Sequence, residues 1–181
     1  MDREEAYQKV AENVSNKNLI KHMLATEAVM KHLARHFGED ESKWGLTGLL
    51  HDLDYDQTAD DFPNHGLKTA EMLSNTDIPE EVIYAIKSHP GHFPRESLMD
   101  KALYAVDPVT GLIVAAALMH PDKKLQSLDL AFVKRRFGEK RFAAGADREQ
   151  IRSCETFGMD LEAFLSLALE AMQSIDKALG L

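Results

Sequence analysis

Apolar residues recur at steps of three and four along most of the chain, and β-branched runs with strict alternation are absent. That periodicity belongs to amphipathic helices, so the pattern predicts an all-α fold, a bundle of helices. A short polar helix is expected over residues 3–13. A stronger one runs from Asn18 to Phe37, with Leu19, His22, Thr26, Val29 and Leu33 in one stripe and Gly38 as its stop. The run Trp44–Leu53 can bury Leu46, Leu49, Leu50 and Leu53 together. Residues 54–63 read as an acidic loop. Asn64 suits the N-cap of a helix over His65–Ser74. Pro79, Glu80 and Glu81 open another helix, which ends at His89 before Pro90. The pattern from Ser97 to Met119 is interrupted at Pro108, either as a kink or as a fresh start with Asp107 as N-cap. Three further helices are expected over about 127–137, 147–156 and 160–179.

Length then sets the scale. A chain of 181 residues fits one domain, 1–181, and buries enough surface for a core without staples. Its helical C-terminal part, 120–181, reads as scaffold. One cysteine, Cys154, forms no internal disulfide and fits a reducing compartment. The charged start, Met1-Asp2-Arg3-Glu4-Glu5, lacks the apolar core of a signal peptide. The longest uninterrupted apolar run, Leu112–Met119, is short of the roughly 20 residues that span a bilayer. The expectation is a cytoplasmic protein with no membrane partner; nothing in the pattern defines an oligomeric state. A net charge of −9 argues against non-specific binding to nucleic acid. Lys134, Arg135, Arg136, Lys140, Arg141 and Arg148 are a local exception, read as a solvated face or as a patch that attracts a phosphorylated substrate.

Candidate chemistry centres on Gly48-Leu49-Leu50-His51-Asp52, where an imidazole and a carboxylate leave the apolar side of a helix together. Burying either alone costs several kcal/mol, whereas both can share a cation. Gly48 costs about 1 kcal/mol of helix propensity and so clears space for a neighbouring helix or for an ion. His22, His65, His89 and Asp107 also fall at helix ends or on apolar faces. Each alone reads as readily as a satisfied core histidine or a plain N-cap; the combination points to a site. His32 and His36, four apart among Lys31 and Arg35, read as a solvated face. Imidazole with carboxylate suits Fe, Mn, Co, Ni or Zn, and six ligands exceed what a tetrahedral structural site needs. A phosphate-binding loop of the Walker type and a GxSxG elbow are both absent.

The order His22, His51-Asp52, Asp107 resembles the HD-domain superfamily of metal-dependent phosphohydrolases. Leu49-Leu50-His51-Asp52 is similar to its signature helix end, and Ala102-Leu103-Tyr104-Ala105-Val106-Asp107 to the late helix that supplies its final aspartate. The resemblance covers about Leu19–Met119 and implies an HD-type bundle with one divalent metal on His22, His51, Asp52 and Asp107. It also implies that His65 and His89 can take a second ion bridged by Asp52; His92 is a weaker candidate. A glycine and a lysine commonly follow the dipeptide, but here Leu53-Asp54-Tyr55 stands instead, so that lysine contact to phosphate is missing. The expected activity is hydrolysis of a phosphate ester on a small phosphorylated substrate, a nucleotide among the candidates. Metal-activated water is the nucleophile, and Asp52 acts as bridging ligand. Asp54 and Asp56 read as groups that support the ligands from behind, as acid–base groups, or as acids on a solvated loop, the last favoured for each. Lys68, Lys87, Arg95 and Lys101 lie near the ligands in sequence as candidate phosphate contacts. A di-iron oxygenase, similar to myo-inositol oxygenase, and a non-catalytic metal- or nucleotide-binding module are the alternatives.

Overall fold

The computed structural model describes residues 1–181 and contains helices and turns but no strand. Its helices are α1 (Arg3–Asn13), α2 (Lys17–Phe37), α3 (Glu41–Leu50), α4 (Tyr55–Thr58), α5 (Leu67–Leu73) and α6 (Glu80–Ser88). They continue as α7 (Leu98–Met119), α8 (Leu130–Gly138), α9 (Arg148–Arg152), α10 (Leu161–Gln173) and α11 (Asp176–Leu179). Short polar side chains start most of them by accepting from amides that have no partner inside the helix. Asn16 does this for α2, Asp40 for α3, Asp129 for α8 and Asp160 for α10. Asp2 with Glu5, and Ser97 with Asp100, form capping boxes on α1 and α7.

Several expected boundaries move, each for a local reason. Asp40 starts α3 at Glu41, so the helix ends at Leu50 and His51 is its C-cap; Leu49, Leu50 and Leu53 are still buried, while Leu46 is half-buried. Asn64 is not an N-cap. It closes a tight turn, Phe62–Asn64, and its amide donates to Asp61. α5 starts only at Leu67, after Gly66 at φ 77°, so His65 sits in extended backbone ahead of the helix. The acidic stretch contains α4. Residues 147–156 divide into α9 and a tight turn, Ser153–Phe157, and the last expected helix breaks between α10 and α11.

α7 runs unbroken through Pro108, so Asp107 lies inside a helix and is not an N-cap. Proline has no N–H, which leaves the carbonyl four residues earlier without its helical donor. That carbonyl belongs to Tyr104, and the Gln150 side chain supplies the missing hydrogen bond at 2.8 Å. α7 is also long and apolar enough to cross a membrane by length and composition, with mean hydropathy 1.8, yet more than half of that stretch is buried inside the protein.

α2 packs closely on α3. A Cβ at Gly48 would stand 2.8 Å from the Glu27 nitrogen and from the Thr26 carbonyl. Of the two roles open to this glycine, the neighbouring helix is the one it serves. A continuous apolar core extends from Ala6 in α1 to Leu179 in α11 and includes Phe164, Leu165 and Met172 of α10. Beside it Glu27, 4% exposed, is paired with Arg3 and Lys31.

Candidate metal centre

Five segments converge at one end of this core. α2 brings His22, the end of α3 brings His51 and Asp52, the strand-like residue before α5 is His65, the C-cap of α6 is His89, and mid-α7 gives Asp107. Asp52 is at the middle. Its Oδ2 lies 3.5 Å from Nε2 of both His22 and His51. Its Oδ1 lies 3.3 Å from Nε2 of His65 and 3.5 Å from that of His89. Asp107 Oδ1 stands 3.1 Å from His22 Nε2 and 3.9 Å from His51 Nε2. The carboxylate of Asp52 therefore divides the cluster into two halves, His22–His51–Asp107 on one oxygen and His65–His89 on the other.

Every imidazole is fixed from behind. His51 Nδ1 donates to the Gly48 carbonyl at 2.8 Å and His89 Nδ1 to the Ile86 carbonyl at 2.6 Å. Carbonyls only accept, so these Nδ1 atoms carry the hydrogen. The Thr110 hydroxyl donates to the Asp107 carbonyl at 2.9 Å and accepts from His22 Nδ1 at 2.9 Å. His65 Nδ1 donates to Asp54 Oδ1 at 2.8 Å. All four rings consequently present Nε2 inward. The two inner nitrogens of each half are 3.1 Å apart. Lone pairs at that distance require a positive charge between them, either a proton or a metal ion. Imidazole nitrogen with carboxylate oxygen is the donor set of first-row divalent metals, and the outer hydrogen bonds are those that orient metal-binding histidines. The residues fit the ions.

The electrostatics run the same way. Burial opposes ionisation of Asp52, yet the surrounding histidines hold its carboxyl well below the usual carboxylate range. Burial likewise opposes a charge on Asp107, and His22 outweighs it, lowering that carboxyl too. His51, wholly enclosed, is pushed down by burial to about 4. Burial would also lower His65, but its hydrogen bonds to Asp52 and Asp54 prevail and raise it to about 9. In the metal-free chain His65 is thus the proton holder of its half.

Asp54 is no solvated acid. It is fully buried and accepts from His65 Nδ1, from the Gly66 amide at 2.7 Å and from the Thr69 amide at 3.0 Å. Asp56 is an exposed acid that accepts from Ser15. The cluster forms the floor of a cleft of about 520 Å³ whose wall includes Tyr55, Phe62, Tyr104, Gly145 and Gln150. None of Lys68, Lys87, Arg95 and Lys101 lines it. Lys87 lies over the Phe93 ring, and Arg95 stacks 3.8 Å over Tyr104, itself a wall residue. His92 is exposed and bonded to the Phe62 carbonyl. His32 and His36 face away from each other, His32 to the Ala28 carbonyl and His36 to the Phe37 ring. The basic residues of 134–148 do not reach the cleft either: Lys134 pairs with Glu162 and Arg136 with Glu139. Thr110 went unread in the sequence, although its position three after Asp107 marks it. Gly145 and Gln150 left no signal, since neither the turn before α9 nor α9 itself, which carries Gln150, has a motif.

The HD domain family model matches residues 19–135. This chain belongs to the HD-domain family. The match spans the whole His/Asp cluster, from His22 to Asp107. Two relatives are similar to this HD-domain protein. Ribonuclease Y of Desulfotalea psychrophila is 25% identical over 135 residues, which cover 73% of this chain and 26% of that protein. Ribonuclease Y of Acholeplasma laidlawii is 29% identical over 118 residues, 65% of this chain and 21% of the relative. The chain thus spans about a quarter of the length of these relatives. No solved structure matches.

Proposed function

We propose that this HD-domain protein hydrolyses phosphate esters with two divalent ions, one held by His22, His51, Asp107 and Asp52 Oδ2, the other by His65, His89 and Asp52 Oδ1. The observation that carries the reading is the set of four inward Nε2 atoms around one carboxylate, each ring fixed by an outer partner. When bound, such ions supply water of lowered pKa and Lewis-acid stabilisation of a phosphoryl group. The chain's own residues do the rest. Asp52 sets the separation of the two halves. Asp54 and Thr110 keep His65 and His22 turned inward. Tyr55 and Phe62, both substantially exposed, form an aromatic rim that limits water at the mouth. No Lys or Arg lines the cleft, so the chain itself offers a phosphoryl group no cationic side chain. That supports a substrate of low charge, a monoester or a diester, over a polyphosphate. The relatives' name, ribonuclease, places RNA diesters among the esters to assay, while the charge of −9 speaks against a long polyanion.

The test is metal analysis of purified protein, together with turnover of monoesters, diesters and nucleotides under added Mn²⁺ or Co²⁺, with and without oxygen. Metal retention and oxygen-independent turnover are expected, both lost in Asp52→Asn. Protein that retains no metal and turns over no ester overturns the proposal. Oxygen-dependent chemistry with iron alone favours the oxygenase alternative.

A further inference from the structure

Beyond the family match the chain keeps returning to the cleft. Gly145 and Gln150 line it, although both lie outside residues 19–135. Two devices hold them there. The first is Arg148, whose guanidinium donates to the carbonyls of Phe137, Glu139, Phe142, Ala143 and Ala146. It pairs with no carboxylate, and all of its donors are engaged on backbone carbonyls from the end of α8 to Ala146, including Ala143 in the left-handed region at φ 44°. A planar fork of five N–H groups can organise such a loop; a lysine ammonium cannot. The second device is Pro108. The Tyr104 carbonyl that it leaves without a helical donor is captured by Gln150 Nε2. This fixes the orientation of the amide, because a carbonyl accepts only a hydrogen. Gln150 lines the cleft, and Oε1, the atom this bond leaves over, accepts from no group of the protein.

The phosphoryl group belongs at the floor, where the histidines are, so the remainder of an ester must extend along the wall. We infer that residues 139–150, clamped by Arg148 and docked on α7 through Pro108, form a leaving-group wall, with Gly145 setting its size limit and Gln150 Oε1 accepting from an O–H or N–H of the leaving group. This rests on the phosphohydrolase reading above. It deepens that reading by assigning specificity to a segment the family match does not include.

Three esters test it on metal-loaded protein: methyl phosphate, phenyl phosphate and 3-hydroxyphenyl phosphate. A Cβ at Gly145, a wall residue, meets no atom within 4 Å, so Gly145→Trp adds bulk at the wall with no clash at the Cβ. It is expected to lower kcat/KM for both phenyl esters at least about tenfold while methyl phosphate changes by less than about twofold. The second variant is Pro108→Ala with Gln150→Leu. The restored backbone N–H satisfies the Tyr104 carbonyl, so only the acceptor in the cleft is lost. The wild-type preference for 3-hydroxyphenyl over phenyl phosphate, about three- to tenfold for one hydrogen bond, is expected to vanish with metal content unchanged. Arg148→Lys is expected to reduce the same preference without loss of metal, whereas a purely structural role would lower all three esters alike. Equal changes on all three esters, or none, overturn the wall and leave the hydrolase standing. Wild-type protein inert on all three, and on the broader panel, overturns the hydrolase and the wall with it.

Discussion

Asp54 shows how much one side chain can do without touching the reacting atoms. His65, two amides of the backbone that follows it and, at 3.4 Å, the Thr58 hydroxyl converge on its carboxylate. Asp54→Asn removes part of that acceptor set and frees the His65 ring to turn. Loss of such an outer hydrogen bond typically weakens a metal about 10–100-fold. The expected result in a calorimetric metal titration is weakened binding at the His65–His89 half, with the His22–His51 half unchanged. His65 sets a second expectation. Its pKa of about 9 means that it carries a proton at neutral pH, and an ion must displace that proton. Binding of Mn²⁺ at pH 7 should release it. Affinity at this half should rise about tenfold per pH unit and level off above pH 9, which titrations in buffers of different ionisation enthalpy will report. His22, His51 and His89 were legible because each interrupts an apolar stripe or closes a helix; His65 was legible at the start of one, although that helix begins two residues later than expected. Asp54 was legible only as one of several readings, because its burial depends on the turn through Gly66, and an acid among three others in residues 54–63 reads as readily as solvated.

Helix ends were legible where a polar cap announced them and were missed where a turn did. Ser97 and Asp160 sit where capping chemistry requires, whereas Asp40, an equally good cap, is missed because the apolar pattern starts at Trp44. The start of α5 depends instead on Gly66 at positive φ, with the Ile86 carbonyl 2.8 Å from where a Cβ would lie, a constraint set by a helix distant in sequence. Pro108 misled for a related reason. A proline ordinarily ends a helix, but here a side chain 42 residues later in the chain supplies the lost hydrogen bond. The contact of α2 with α3 gives the prediction proper to this scale. Gly48→Ala drives a methyl into the backbone of Thr26 and Glu27. Overpacking of this kind costs about 1–3 kcal/mol, which should lower the urea midpoint. It should also weaken metal binding, because His51 hydrogen-bonds the Gly48 carbonyl and moves with it.

The molecule as a whole is organised around α7, which carries Asp107 at the floor of the cleft and Tyr104 in its wall. α10 closes the core beside it. A core continuous from α1 to α11 is expected to unfold in one cooperative transition, with far-ultraviolet circular dichroism and the fluorescence of buried Trp44 giving coincident curves. Two separated transitions would show that 120–181 folds apart from the rest. The C-terminal part read as scaffold in the sequence, and α10 is that. The intervening loop is not, and only the three-dimensional return of Gly145 and Gln150 to the cleft reveals it. The character of α7 also bears on synthesis. The ribosome delivers this apolar helix after α2, α3 and α6, on which it packs, but before α8, α9 and α10; until those follow, the sides they cover face water on a segment long enough to be mistaken for a membrane anchor.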